Sequence, residues 1–288
     1  MDFSKYKRVH CLGIGGIGLS AVAEILRDRG YIVSGTDIHP SKVTRHLEYL
    51  GIKVFTEHKP ENVEDVDAIV YSAAVSDENP EVIRAKELGI PLFSRAQVLG
   101  MIMDDYEHSV AICGTHGKTT VTSMTSLILR NADYKPTILV GGNLPQINGN
   151  VEIGGTDYFV TEACEYMDSF LQLKPSIGVI LNIDSDHLDY FKTMDNLVNS
   201  FSKFIGMSKK CYFNGDDELS TKAAKSVSDT VSFGFSSKND FYAMQSEEIV
   251  NDSFSGSLPA FVAAFSSRKK LSDEEINQLQ DMINKMRG

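Results

Sequence analysis

Residues 9–18 read VHCLGIGGIG, an apolar run that leads directly into four glycines. The apolar run predicts a β-strand and Ile17–Arg29 predicts an α-helix, so the glycines lie at a strand-to-helix turn. They fit the pattern GxGxxG, and Asp37 follows at the end of the next predicted strand, about 20 residues further on. Glycines at such a turn let the backbone approach a pyrophosphate, whose charge the helix N-terminus stabilises. The pattern indicates either a dinucleotide site or a UDP-sugar site, built from Gly13, Gly15, Gly16, Gly18 and Asp37.

Strand and helix patterns alternate up to about residue 94. The predicted helices are Ile17–Arg29, Ser41–Leu50 and Glu81–Leu88, and the predicted strands are Val9–Ile14, Tyr31–Thr36, Ile52–Phe55, Ala68–Tyr71 and Pro91–Phe93. Strands separated by helices form βαβ units and a parallel sheet. We therefore expect an α/β fold with a Rossmann-like domain over residues 1–104.

A second glycine loop, GTHGKTT at residues 114–120, lies between the predicted strand Ser109–Cys113 and the predicted helix Lys118–Asn131. It ends as a P-loop does, but Ile112 occupies the position where the usual pattern GxxxxGK[ST] has its first glycine. The backbone N–H groups of such a loop bind phosphates, its lysine reaches the β/γ oxygens, and its threonine hydroxyl ligates Mg²⁺. The predicted phosphate-binding residues are Gly114, Thr115, His116, Gly117, Lys118, Thr119 and Thr120.

Two acidic clusters follow predicted strands in the same block: TEACE at residues 161–165 and NIDSDHLD at residues 182–189. Because the carboxyl ends of parallel strands gather at one crevice, both clusters are expected to face the second glycine loop. Carboxylate oxygens suit Mg²⁺, so Glu162 is a candidate ligand, with a helix N-cap or a solvated loop residue as the alternative. From the residues alone, His187 is a charge-paired surface histidine.

The second block predicts a P-loop-type α/β domain over residues 105–245, with its boundary near residues 100–108. Its other predicted strands lie near Thr137–Val140, Tyr158–Thr161, Ile177–Leu181, Lys210–Phe213 and Thr230–Phe233, and its other predicted helices are Asn196–Phe204 and Glu218–Lys225. Residues 246–288 predict a short helical tail. There Ser272 and Glu275 fit a capping box, and an apolar stripe follows at helical spacing, consisting of Ile276, Leu279, Ile283 and Met286.

Composition excludes several classes of protein. The chain has 288 residues, and 28 Lys+Arg against 39 Asp+Glu give a net charge of −11, which argues against general affinity for nucleic acid or anionic membranes. The four cysteines, Cys11, Cys113, Cys164 and Cys211, form no CxxC pair and all lie in apolar strand-like runs, so we expect buried free thiols. No signal peptide and no membrane-length apolar stretch is evident. These features predict a cytoplasmic protein.

The motifs together resemble the Mur ligase family. GTHGKTT is that family's ATP-loop form, and further matches are HCLGIGGIGLSA (10–21), VGGN (140–143), EACE (162–165) and NIDSDHLDY (182–190). The resemblance covers residues 5–245 and is to the branch of the family that joins L-alanine to UDP-N-acetylmuramate.

The resemblance implies a division of labour between the two glycine loops. The first would hold the UDP of UDP-N-acetylmuramate near Asp37, and the second would hold ATP. Lys118, Glu162 and His187 would be the catalytic residues, and Thr119, Glu162 and His187 would ligate Mg²⁺. The implied reaction phosphorylates the sugar's lactoyl carboxylate, and the amine of L-alanine then attacks the acyl phosphate.

The family pattern departs from this sequence after residue 245, where a His-Asn stretch and a third domain are expected. We therefore expect impaired ligase activity. Residues 246–288 weakly resemble the dimerisation segment of penicillinase-repressor (BlaI-like) regulators, with a plain amphipathic helix as the alternative. A second functional hypothesis is thus a non-catalytic UDP-sugar- and ATP-binding module that forms a homodimer through its tail. An NAD-dependent oxidoreductase is the third hypothesis, and it depends on the first loop alone.

Overall fold

The computed structural model describes residues 3–243, and the chain divides into two compact units, Met1–Phe233 and Gly234–Gly288. The predicted helical tail, its capping box and its apolar stripe lie outside the described residues. The domain limits at residues 104 and 245, and the dimer through the tail, stay predictions. In the second unit the structure describes the end of a strand and the two-residue strand β13 (Phe241–Tyr242).

The first sheet is parallel throughout, as predicted. Its strands are ordered β3-β2-β1-β4-β5, and every neighbouring pair is parallel. The elements are β1 (Arg8–Leu12), α1 (Ile17–Asp28), β2 (Ile32–Thr36), α2 (Lys42–Tyr49), β3 (Lys53–Phe55), β4 (Ala68–Tyr71), α3 (Pro80–Leu88), β5 (Leu92–Ser94) and α4 (Arg95–Asp104), with a 3₁₀ turn at Pro60–Val63.

Local chemistry explains where these helices begin. The side chain of Ser41 accepts a hydrogen bond from Thr44 N and caps α2, while Ser94 and Gln97 form a capping box at the start of α4. α3 begins with Pro80 after the N-cap Asn79 and ends at a left-handed glycine. These caps fix the turns that follow the carboxyl ends of the strands.

The second sheet is larger and mostly parallel. Within the first unit its strands are ordered β12-β11-β10-β6-β9-β7-β8, and β8 pairs antiparallel with β7. The elements are β6 (His108–Cys113), α5 (Lys118–Asn131), β7 (Thr137–Leu144), β8 (Gly149–Glu152), β9 (Tyr158–Glu162), β10 (Ile177–Ile180), α6 (Leu188–Phe191), α7 (Met194–Met207), β11 (Lys210–Asn214), α8 (Glu218–Ala224) and β12 (Thr230–Gly234).

Most predicted elements are confirmed to within a few residues, and α5 is confirmed at both ends. The sequence patterns did not predict β8 or the four-residue helix α6. No helix among the described residues is long and apolar enough to cross a membrane.

Helix α4 packs against the segment Tyr166–Gln172 of the second block. A Cβ atom at Gly100 would lie 2.1 Å from the carbonyl oxygen of Gln172, so only glycine permits this approach. Nearby, the fully buried rings of Phe170 and Phe204 stack with their centroids 5.0 Å apart. This packing brings the carboxyl ends of the two sheets to a shared cleft.

Candidate functional site

The first glycine loop is fixed by the end of strand β2. Gly13 has a left-handed φ of +77°, and both Gly13 N and Ile14 N donate hydrogen bonds to the carbonyl oxygen of Thr36, at 2.8 and 3.2 Å. Gly15 N donates to Asp37 Oδ2 at 2.8 Å. These hydrogen bonds fix the backbone conformation of the loop at the start of α1. Asp37 is one of the residues that fix it, since its carboxylate accepts a hydrogen bond from the loop.

The second glycine loop is fixed by the segment that follows strand β10. Thr115 N donates to the carbonyl oxygen of Asn182 at 3.0 Å. The amide side chain of Asn182 accepts from His116 N at 2.8 Å and donates to His116 O at 3.0 Å. Gly114 and Gly117 have φ angles of +142° and +85°, and Gly117 is the N-cap of α5. Backbone N–H groups at this helix N-terminus are thus available for an anion.

Lys118 is held inside the second loop. Its Nζ donates to the carbonyl oxygens of Gly114 and Thr115, at 2.6 and 3.2 Å. It also lies 2.9 and 3.0 Å from the two carboxylate oxygens of Glu165, which is 1% exposed. Glu165 is buried and Lys118 is only partly exposed, so this is a largely desolvated ion pair in which the buried carboxylate depends on the lysine for its counter-charge. The sequence placed Glu165 in an acidic cluster but gave no sign of this pairing.

Glu162 lies at the carboxyl end of β9, where it was expected. Its Oε1 accepts a hydrogen bond from Gly141 N at 2.6 Å. A Cβ atom at Gly141 would lie 2.7 Å from Glu162 Oε2, so the absent side chain leaves room for the carboxylate. Glu162 and Lys118 line the same cavity.

His187 is the N-cap of α6 and has a left-handed φ of 53°. Its Nε2 lies 3.9 Å from Glu165 Oε1, and its ring packs on that of Tyr166 with centroids 4.6 Å apart. The structure therefore joins His187 to the Lys118–Glu165 pair. Within residues 3–243, no three His, Cys, Asp or Glu side chains are grouped closely enough to hold a metal ion by themselves.

The two glycine loops face one cleft with a cavity of about 340 Å³. From the first block, Gly16 and Gly18 of the first loop line the cavity together with Ser72 and Arg95. From the second block, Lys118 of the second loop lines it together with residues 139–141 of β7 and Glu162. The polar or glycine residues that line it are Gly16, Gly18, Ser72, Arg95, Lys118, Gly141, Glu162 and Ser169, and apolar side chains such as Leu99, Val140 and Phe170 complete the walls. The cleft is large enough for part of a ligand that contacts both loops.

Arg95 also lines the cleft, although the sequence patterns did not predict it as a site residue. It is the first residue of α4, and a Cβ atom at Gly18 would lie 3.1 Å from its Nη1. Among residues 3–243, no carboxylate lies within ion-pair distance of its guanidinium. A signal was available, because Arg95 follows the carboxyl end of β5, where ligands of parallel sheets bind.

Three of the four cysteines are buried as expected. Burial raises the pKa of Cys11 and of Cys211 to about 12, and raises that of Cys113 well above its usual value. For Cys164 the prediction of a buried strand residue is wrong. Cys164 follows β9, is half-buried and lines the cleft.

Fold and site together define a P-loop-type α/β protein with a second glycine loop across the cleft. Family models agree with this class: the Mur ligase family, catalytic domain, matches residues 8–107, and the Mur ligase middle domain matches residues 112–273. The chain belongs to the Mur ligase family. The second match overlaps residues 246–273, and the weaker resemblance of that segment to BlaI-like regulators stays a prediction.

Named relatives cover most of this chain. It is 48% identical over 252 residues to UDP-N-acetylmuramate–L-alanine ligase of Acetivibrio thermocellus, covering 85% of this chain and 53% of the relative. The ligase of the same name in Alkaliphilus metalliredigens is 45% identical over 272 residues, with coverages of 93% and 58%. The solved UDP-N-acetylmuramate-alanine ligase of Thermotoga maritima is 31% identical, with a TM-score of 0.71 and coverages of 80% and 52%. The chain thus spans about half the length of the relatives it matches.

Proposed function

We propose that this chain carries the UDP-sugar site and the ATP site of a ligase of peptidoglycan precursor synthesis, which joins L-alanine to UDP-N-acetylmuramate. The single observation that carries the proposal is the pair of glycine loops that face one cleft. The names of the similar ligases support the choice of substrates. An NAD-dependent oxidoreductase is disfavoured, because the family match extends over the second loop as well.

The first loop would bind the diphosphate of the UDP-sugar. Gly16, the N-cap of α1, and Gly18 in its first turn both line the cleft, and a helix N-terminus stabilises negative charge. Arg95, which lies next to Gly18 and lines the same cleft, adds a full positive charge, and a guanidinium suits phosphate oxygens in two-point contact. The lactoyl carboxylate would then extend toward Lys118.

The second loop would bind the phosphates of ATP on the backbone from Gly114 to Thr120. Lys118 Nζ now bonds to loop carbonyls, and a bound triphosphate would compete for these hydrogen bonds. Glu165 would keep the ammonium group close to the β/γ oxygens, since its ion pair to Lys118 does not involve the loop.

Mg²⁺ fits this set of residues as a metal that the substrate helps to hold. Thr119, Glu162 and His187 supply hydroxyl, carboxylate and imidazole groups, and Mg²⁺ commonly takes one or two protein ligands plus phosphate oxygens and water. When bound, the ion would neutralise charge that develops on the transferred phosphoryl group.

The reaction itself needs positioning more than covalent help from the protein. A lactoyl carboxylate oxygen attacks the γ-phosphorus of ATP and ADP leaves, which gives an acyl phosphate. The amine of L-alanine then attacks the acyl carbon, loses a proton, and phosphate departs as the amide forms. Lys118 would orient and neutralise the phosphoryl oxygens throughout.

Calorimetry tests the proposal directly. UDP-N-acetylmuramate and a non-hydrolysable ATP analogue with Mg²⁺ are each titrated into the chain, and one equivalent of each is expected to bind. An L-alanine-dependent ADP assay on the same preparation then tests the reaction. Failure of UDP-N-acetylmuramate to bind while NAD binds would refute the proposal.

A further inference from the structure

A buried carboxylate lies beneath the first glycine loop, and no step of the proposed reaction uses it. Glu81, in the first turn of α3, is 0% exposed, as are His10 on β1 and Thr36 on β2. An ionised carboxylate in such a place costs folding free energy unless hydrogen bonds compensate for its lost hydration. Its contacts therefore show what this burial achieves.

Glu81 connects several elements of the first sheet. Its Oε1 accepts hydrogen bonds from Thr36 Oγ1 and Asn62 Nδ2, each at 2.6 Å. Its Oε2 lies 2.5 Å from His58 Nδ1, and Nε2 of His10 lies 3.6 Å from Oε1. One carboxylate thus links α3 to β1, to β2 and to the segment after β3.

The contacts keep Glu81 ionised. Burial by itself would raise the pKa of Glu81, but the contact with His10 and the hydrogen bonds with Thr36, His58 and Asn62 lower it to about 2. The carboxylate therefore accepts hydrogen bonds, rather than donating one, at every pH at which the protein would be assayed.

Thr36 transmits this anchoring to the glycine loop. Its hydroxyl donates to Glu81, while its carbonyl oxygen accepts from Gly13 N and Ile14 N. The imidazole of His10 also contacts that hydroxyl, at 3.1 Å. The side chain of Thr36 therefore ties the end of β2 to Glu81, and the carbonyl oxygen of Thr36 ties the first glycine loop to the end of β2.

We propose that Glu81 is a positioning residue for the first glycine loop and that it acts through Thr36. With this carboxylate in place, the end of β2 holds the loop in the shape that binds a diphosphate. The part about the ligand rests on the proposed function, whereas the link from Glu81 to the loop does not.

The test compares Glu81→Gln with a matched control, Glu24→Gln. Glu24 is also a largely buried carboxylate of the first block paired with a histidine, His46, but it does not contact Thr36. Hydrogen exchange of the Gly13 and Ile14 amides is measured in the ligand-free chain, and dissociation constants are measured for UDP-N-acetylmuramate and for an ATP analogue.

We expect Glu81→Gln to speed exchange at these two amides about ten-fold and to weaken UDP-N-acetylmuramate binding about ten-fold, with the ATP analogue unaffected. Thr36→Val, which removes the hydroxyl, should reproduce both effects. Thr36→Ser, which keeps the hydroxyl, should behave like the wild type in both measurements. Because Thr36→Val keeps the carboxylate, it serves as the second variant if Glu81→Gln folds poorly. Glu24→Gln should change neither quantity.

Unchanged exchange at Gly13 and Ile14 in both Glu81→Gln and Thr36→Val would overturn the proposal. Equal weakening of both ligands, with faster exchange throughout the first block, would also overturn it, since that result indicates a general structural role. If the wild-type chain binds no UDP-N-acetylmuramate, the proposed function fails, but the exchange measurement still decides whether Glu81 positions the loop.

Discussion

The two glycine loops occupy equivalent places, each between a parallel strand and a helix, yet different chemistry holds them. The first is held by a carbonyl oxygen and a carboxylate at the end of the adjacent strand β2, and the cation beside it, Arg95, lies on another helix. The second contains its own cation, Lys118, which is paired with the buried carboxylate of Glu165, three residues after β9. A loop that only binds a ligand can take its charge from elsewhere, whereas a loop that stabilises a moving phosphoryl group needs a positive charge next to the reacting atoms.

The largest effects on binding and on stability are expected when the positive charge of Lys118 is removed from the second loop. Lys118→Met deletes the phosphate contact and leaves Glu165 buried without a counter-ion. We expect the ATP analogue to bind at least about 100-fold more weakly, and the free energy of unfolding to fall by about 3–5 kcal/mol. Calorimetry and urea unfolding measure the two effects.

The double variant Lys118→Met/Glu165→Gln is the control for this prediction. It removes the unpaired charge, so it should recover most of the lost stability without recovering binding of the ATP analogue. UDP-N-acetylmuramate should bind normally to it. Restored nucleotide binding in the double variant would contradict the role given to Lys118.

Arg95 is the corresponding cation for the first loop. We expect Arg95→Met to weaken UDP-N-acetylmuramate binding about 10- to 100-fold, because a hydrogen-bonded charge is lost at the diphosphate, while the ATP analogue binds as before. Arg84→Met is the matched control, since Arg84 pairs with Glu64 and Glu87 on the outside of α3. Similar weakening by both substitutions would contradict a specific role for Arg95.

Low pH should weaken the hydrogen bond by which Glu81 holds Thr36, the residue that contacts the first loop. The pKa of Glu81 is about 2 in the folded chain, below its ordinary value of 4.5, so its contribution to stability is complete above pH 4.5 and is lost as pH falls toward 2. The difference in the free energy of unfolding between the wild type and Glu81→Gln should be about 2–3 kcal/mol larger at pH 5 than near pH 2. Urea unfolding over this range checks the prediction, and a difference independent of pH would contradict it.

The smallest expected effect concerns two adjacent glycines near the second loop. A methyl group at Gly141 would displace the Glu162 carboxylate, whereas one at Gly142 would meet only Thr119 Cγ2 at 3.6 Å. We expect Gly141→Ala to weaken Mg²⁺-dependent binding of the ATP analogue about five-fold. Gly142→Ala should leave it unchanged, and the reverse order would argue against a role for Glu162 in metal binding.

The sequence predicted what depends on local chemistry. The predicted helix Lys118–Asn131 was confirmed, and the left-handed Gly117 before it marks its start. The GxGxxG pattern with Asp37 predicted a glycine loop that contacts the end of the neighbouring strand β2. In contrast, β8 was missed because a four-residue edge strand containing Gly149 depends on its pairing with β7. Such pairing leaves almost no mark on the strand's own residues.

The interactions that decide the site were equally hidden from sequence, for the same reason. Lys118 and Glu165 are 47 residues apart and Thr36 and Glu81 are 45 apart, and no periodic pattern connects such pairs. A carboxylate in the first turn of a helix, as at Glu81, usually indicates a favourable helix end. Only the fold shows that this one is buried.

If the two loops bind two different ligands, both ligands can bind at the same time, and one titration decides this. UDP-N-acetylmuramate is titrated by calorimetry into the chain saturated with the non-hydrolysable ATP analogue and Mg²⁺. We expect one equivalent of UDP-N-acetylmuramate to bind while the ATP analogue stays bound. Displacement of the ATP analogue by UDP-N-acetylmuramate would mean that both ligands share one loop, which is the opposite result.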